Sequence, residues 1–205
     1  MLMLFRPLNL LILFLTQCIV YYFLVRPFLF LQNDLNAMTS ILLLNLSTTL
    51  IAASGYLIND YYDQDIDKIN KPKKVIIGNK ITIQTAFFLY FLFNVIAIFV
   101  GFYLSYLIWI IELLTILSLF LYAYQLKKLP FIGNFLVAFL SAFSLVLVGI
   151  YFEYWNEFLT EFVIFAFFIS LIREIIKDVE DVEGDRRMNC RTLIIVLGEQ
   201  KTKII

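Results

Sequence analysis

The chain has 205 residues, 62% of them hydrophobic and 16% charged, where a soluble domain carries roughly half and about a quarter. Its 16 Lys and Arg balance 16 Asp and Glu, and it has no histidine, which excludes a global basic field for nucleic acid, a Ser-His-Asp triad, His acid–base chemistry and His-ligated metal or haem. The two cysteines, Cys18 and Cys190, lie far apart and offer neither a disulfide framework nor a zinc site.

The first apolar run, Leu8 to Val25, follows Arg6 and lacks a small-residue cleavage pattern, so it reads as a membrane helix rather than a removed signal peptide. Further apolar runs follow at 37–58, 82–105, 106–124, 131–151 and 158–176. Each approaches the ~20 helical residues that cross a hydrocarbon core, and a buried soluble helix rarely stays apolar on every face for that long. The expectation is an all-α polytopic membrane bundle with six transmembrane helices, forming a single membrane-embedded domain over 1–205. Pro27, Pro72, Gly78 and Pro130 punctuate the connections, and aromatic residues gather near run ends, as from Tyr151 to Trp155. With the N-terminus in the cytoplasm, every Lys and Arg except Arg26 falls inside, and shifting the phase by one helix reverses the bias. The expected location is therefore the cell (inner) membrane, multi-pass.

That orientation puts both acidic clusters on the cytoplasmic side. The first holds Asp60, Asp63 and Asp67, and the second Asp178, Asp181 and Asp185, each with steps of three and four. If each segment prolongs its membrane helix by two turns, the three carboxylates share one face, while Asp65, Glu180 and Glu183 point to solvent. Two like charges ~6 Å apart at an effective dielectric of ~20 repel by about 3 kcal/mol, so such a face calls for a cation. Oxygen ligands without His or Cys favour Mg²⁺ or Ca²⁺, and Mg²⁺ commonly completes its shell with water and substrate phosphate. Acids that merely solubilise helix ends would explain one cluster; two with matching steps on one side are better explained by a Mg²⁺-bound diphosphate held between them. Lys71, Lys74, Lys127, Lys128 and Arg186 flank the clusters and could neutralise phosphate oxygens, although positive-inside loops carry such residues in any case.

These residues resemble the UbiA-type intramembrane prenyltransferases. "AASGYLINDYYDQDIDKINKPKKVIIG" (Ala52 to Gly78) is similar to the family's first signature, with Asn59, Asp60, Asp63 and Asp67 in the matching places, and "REIIKDVEDVEGDRRMNCRTLIIVLG" (Arg173 to Gly198) to the second, on Asp181 and Asp185 with Asp178 before them. "FRPLNLL" resembles the first helix through Arg6, Pro7 and Asn9, and "YAYQLKKLPFIGN" the Tyr/Lys loop that holds Tyr122, Tyr124, Lys127 and Lys128. Within the family the likeness is greatest to the branch that makes archaeal-type ether lipids, geranylgeranylglycerol-phosphate geranylgeranyltransferase, with quinone- and haem-type enzymes as alternatives.

The resemblance implies transfer of a polyprenyl group from a prenyl diphosphate to a lipid or aromatic acceptor. Asn59 and the six aspartates would be the catalytic residues, with the aspartates as Mg²⁺ ligands. Arg6, Asn9, Lys71, Lys74, Tyr122, Tyr124, Lys127, Lys128 and Arg186 would contact substrate. An allylic cation would form in an apolar chamber, and faces such as Tyr61, Tyr62 and Tyr122 could steady it. The chain departs from the family pattern at Lys74-Val75, where Arg-Pro is usual; lysine replaces a planar fork with a point charge. The family fold has nine membrane helices, whereas this sequence reaches only the start of a seventh, so the expectation is a fragment or truncated frame lacking C-terminal helices, inactive unless the cavity wall is replaced. Rival readings fit less well. The Asp-Gly-x-x-Ala-Arg element of CDP-alcohol phosphotransferases is not in place, six spans are foreign to soluble prenyl-diphosphate synthases, and a divalent-cation transporter would need midplane charge where Glu112 is the one clear candidate.

Overall fold

The structure, a computed structural model, describes residues 5–29, 34–72, 75–188 and 190–198. Helix α1 (Pro7–Ile19) starts at a proline, which has no N–H to lose in a first turn, and runs on through a π-helical turn, Val20–Val25, and a 3₁₀ turn, Arg26–Phe28. Helix α2 (Asp34–Tyr62) leads into a short α3 (Gln64–Asn70). Helices α4 (Ile83–Leu104) and α5 (Tyr106–Tyr124) meet at Ser105 alone, whose extended backbone turns the chain while its hydroxyl accepts the Ile108 amide at 3.1 Å. Helix α6 (Ile132–Tyr151) follows, then α7 (Glu157–Glu180), capped by Asn156 on the Leu159 amide at 2.7 Å. Short helices α8 (Val182–Arg187) and α9 (Leu193–Leu197) close the described chain.

This is an all-α polytopic membrane bundle. Among the described residues five helices are long and apolar enough to cross a membrane: Pro7–Phe28, Asn36–Tyr62, Ile83–Leu104, Tyr106–Tyr124 and Ile132–Tyr151. They coincide with the first five expected spans. The sixth, expected at 158–176, lies within α7, which is long enough but carries Glu161, Arg173, Glu174 and Lys177.

Helix α2 is the central post. Of its apolar window 61% is buried inside the bundle, against 17% for α4 and for α5, whose outer faces are Phe, Leu and Tyr. Away from the aspartates, Tyr21, Val25, Leu44, Ile108, Val148 and Leu159 form one continuous core. Some of the polar side chains inside the bundle pair across helices, the favourable arrangement where no water is at hand. Gln17 donates to the Ser144 carbonyl at 2.7 Å and accepts from Thr48 Oγ1 at 2.8 Å, tying α1, α2 and α6 together. Ser54 donates to Asn94 Oδ1 at 2.7 Å, tying α2 to α4.

Glu112 on α5 is fully buried and packs where α4 has Gly101; a Cβ there would stand 1.9 Å from Glu112 Oε2. Its polar neighbour is Ser47 of α2, and it does not line the cavity described below.

The expectation that each acidic segment prolongs its membrane helix needs correction. Helix α2 stops at Tyr62 and α7 at Glu180. The residue at each break is the middle aspartate, Asp63 (φ −92°, ψ 0°) or Asp181 (φ −97°, ψ 7°). Both occupy the sparsely allowed bridge region between helix and strand. The amide of each still reaches back four residues, Asp63 to Asn59 and Asp181 to Lys177, so the helical ladder runs up to the bend and a new helix starts after it.

Candidate active site

The two breaks place α3 and α8 side by side at the end of the bundle where α1 begins and α2, α5 and α7 finish. They roof a cavity of about 590 Å³. All six aspartates, Asp60, Asp63, Asp67, Asp178, Asp181 and Asp185, line it, although the motifs are over a hundred residues apart. The loop before α4 supplies Ile76 and Lys80, its turn made at Gly78, whose φ of +86° suits a residue without a side chain.

Several carboxylates carry a cation or amide. Arg6 Nη2 lies 2.9 Å from Asp60 Oδ1, and its guanidinium covers the Tyr56 ring at 4.8 Å. Lys127 Nζ stands 2.6 Å from Asp63 Oδ1 and donates to Asn59 Oδ1 at 3.3 Å, while Asn59 Nδ2 donates to Asp63 Oδ2 at 2.7 Å. Lys71 of the first motif reaches Asp181 of the second, 2.5 Å from Oδ1 and 2.8 Å from Oδ2. Asn134 Nδ2 donates to Asp178 Oδ2 at 2.9 Å.

The acids also feel one another. Burial, then the charges of Asp63 and Asp60, push the Asp67 carboxyl up to about 6. Burial, then Asp178, Asp181 and the opposite motif's Asp63, push Asp185 up to about 6. A wall of mutually repelling carboxylates, with no histidine beside them and a single thiol, that of Cys190, fits a hard divalent cation better than a soft one. Among the described residues no group of three acidic side chains is gathered closely enough to hold a metal ion unaided. Such an ion would draw part of its shell from water or from phosphate oxygens, which is the habit of Mg²⁺.

The chain matches the UbiA prenyltransferase family over residues 7–205. It belongs to that family. Among its relatives, the digeranylgeranylglyceryl phosphate synthase of Saccharolobus solfataricus is 42% identical over 164 residues, covering 79% of this chain and 58% of that protein. The synthase of the same name from Sulfolobus acidocaldarius is 39% identical over 163 residues, 78% of this chain and 58% of the relative. The chain therefore spans just under three-fifths of the length of these curated relatives. In three dimensions it resembles a solved digeranylgeranylglyceryl phosphate synthase at TM-score 0.71 and 28% identity, over 98% of this chain and 69% of that one. A UbiA homologue from Archaeoglobus fulgidus, solved bound to DMAPP and Mg²⁺, shares the fold at TM-score 0.77 and 17% identity, over 98% and 70% of the two chains.

Against the residues expected from sequence, this UbiA-family cavity is lined by Arg6, Asn9, Lys71, Tyr122 and Lys127. Asn59 is buried beside it, gripping Asp63 and Lys127. Three others are not brought in. Tyr124 is exposed and stacks on Phe120, Lys128 gives its carbonyl to the Arg191 amide, and Arg186 is exposed on α8. Lys74 lies outside the described residues. Asp65 and Glu183 point to solvent, each paired with a basic neighbour, whereas Glu180, although exposed, also borders the cavity.

Sequence reasoning missed Arg173 and Lys177, which it counted only for orientation; both line the cavity. Lys177 lies 3.6 Å from the buried Glu174. The signal was available, because Arg173, Lys177, Asp181 and Asp185 follow in steps of four, one helical face. Cys190 also lines the wall, its thiol pushed up by burial and so held in the unreactive protonated form.

Proposed function

We propose that this chain carries the donor site of a prenyltransferase, moving a polyprenyl group from its diphosphate to a hydroxyl-bearing lipid acceptor. The geranylgeranyl donor and a geranylgeranylglyceryl phosphate acceptor are the first choice, because the relatives named above are digeranylgeranylglyceryl phosphate synthases. The observation that carries the reading is the meeting of all six aspartates, from two distant motifs, on one cavity with Arg6, Lys71, Lys127 and Lys177.

Asp60, Asp63 and Asp67 on one side, and Asp178, Asp181 and Asp185 on the other, would hold Mg²⁺. Once bound, the ion supplies Lewis-acid stabilisation to the negative charge that grows on the departing diphosphate. Arg6, Lys71, Lys127 and Lys177 provide further positive charge and orient the diphosphate. Asn59 and Lys127 each hold one oxygen of the Asp63 carboxylate and are joined to each other, so that it is held in place before substrate arrives. The carbon–oxygen bond to diphosphate breaks with its electron pair leaving on the diphosphate, the allylic carbon bonds to the acceptor oxygen, and the hydroxyl proton passes to the released diphosphate. Apolar side chains from Ile66, Ile76 and Ile176 line the same space and keep water from competing.

Helix α7 completes this reading as a sixth span, its charges confined mainly to its two ends, with the N-terminus and both aspartate motifs facing the cytoplasm.

Membranes containing the chain, given labelled geranylgeranyl diphosphate, Mg²⁺ and a panel of acceptors, are expected to transfer label to the lipid acceptor. Chelator, Asp63→Asn, Asp67→Asn and Asp181→Asn should each abolish transfer. Transfer that survives those changes would overturn the assignment, and transfer to an aromatic acceptor alone would move the chain to another branch of the family.

A further inference from the structure

Asp181 stands at the N-cap of α8, yet its side chain caps nothing. An aspartate in that place ordinarily turns its carboxylate back onto the amide two or three residues on, satisfying one of the donors that a helix start leaves unpaired. Here the third amide of α8, that of Gly184, donates instead to Asn70 Oδ1 at 2.8 Å. Asn70 Nδ2 in turn donates to the Asp181 carbonyl at 2.9 Å. Asn70 is the last residue of α3, so one amide side chain joins the end of the first motif's short helix to the start of the second's. The approach is close enough to exclude any side chain opposite it. A Cβ on Gly184 would lie 2.5 Å from Asn70 Nδ2 and 2.7 Å from its Cγ. The Asp181 carboxylate, relieved of capping, is presented to Lys71 and to the cavity.

We propose that Asn70 is a positioning residue: a helix cap supplied from the opposite motif, which keeps the Asp181 carboxylate facing the cavity and sets the spacing between the two aspartate ledges. The inference rests on the reading of the cavity as a Mg²⁺–diphosphate site. Asn70 does not line the cavity and acts only through α8. Without it the Gly184 amide loses its acceptor, and the group that an N-cap position ordinarily offers to the third amide is the Asp181 carboxylate itself. Removing Asn70 would therefore turn a metal ligand into a cap.

The test is a titration of the purified chain in detergent with Mn²⁺ in the presence of geranylgeranyl diphosphate, read by electron paramagnetic resonance, with the thermal midpoint and helix content measured on the same samples. Asn70→Ala is expected to raise half-saturating Mn²⁺ by about tenfold or more, the usual scale for groups that orient a ligand. Gly184→Ala, which displaces Asn70, should raise it as well. In the Asn70→Ala background Gly184→Ala should add nothing, because the atoms it collides with are gone. A purely structural role would lower the thermal midpoint and leave half-saturation alone. Wild-type half-saturation retained by Asn70→Ala, or additive effects of the two changes, would overturn the inference while leaving the donor-site reading intact. A wild-type chain that binds no Mn²⁺ would overturn both. If Asn70→Ala does not fold, Gly184→Ala decides: a raised half-saturation sustains the inference and an unchanged one overturns it.

Discussion

At the scale of single residues, the site sets acids against one another. Asp67 and Asp185 are raised to about 6 by burial and by neighbouring aspartates, whereas an unfolded aspartate titrates near 3.9. Between those values the folded chain keeps a proton that the unfolded chain has released, so their contribution to stability improves as pH falls from about 6 towards about 4. Above about 6 both states are ionised and the folded chain bears the full repulsion. Asp67→Asn should therefore raise the thermal midpoint in chelator at pH 7 and flatten its dependence on pH between about 4 and 7. A midpoint lowered by Asp67→Asn at neutral pH would show that Asp67 is held by attraction rather than strained by its neighbours. Function and stability pull apart here, as expected where like charges are assembled for a ligand.

At the scale of elements, the backbone bends at Asp63 and Asp181 place the aspartates, and close packing away from them holds the helices together. Where α4 meets α5, Gly101 leaves room for Glu112. Gly101→Ala should destabilise the bundle by about 1–3 kcal/mol through overpacking, read as a lower unfolding midpoint in detergent, and Glu112→Ala in the same chain should restore most of it. A Gly101→Ala protein as stable as wild type would refute this packing.

The elements also show where sequence reasoning reaches. The first five spans were legible because lipid imposes long apolar runs with few alternatives. The two aspartate triplets were legible as helical steps, and all six acids do share a cavity. The bends were not legible. Each keeps its four-residue hydrogen bond, so the periodicity of the sequence passes through Asp63 and Asp181 undisturbed. Arg186 lies off the cavity for the same reason: the turn into α8 carries it to the surface, while Arg173 and Lys177, before the turn, stay on the cavity face.

At the scale of the whole molecule, Arg6, Lys71, Lys80, Lys127, Arg173 and Lys177 gather with both motifs at one end of the bundle, and Arg26, Glu153 and Glu157 lie at the other. The proposed orientation can be tested in a chain carrying Cys18→Ser and Cys190→Ser. A cysteine introduced at exposed Glu153 should react with a membrane-impermeant maleimide in intact cells, and one at exposed Arg186 only after permeabilisation. The reverse pattern would invert the topology.

If the two distant motifs act as one site, neither should hold the donor without the other. The most direct measurement is retention of labelled geranylgeranyl diphosphate by the purified chain as Mg²⁺ is raised, comparing wild type with Asp63→Asn and Asp181→Asn. Wild type should retain it in proportion to Mg²⁺, and either change alone should abolish retention. Retention undiminished by one of them would mean that a single motif suffices and that the two do not form a joint site.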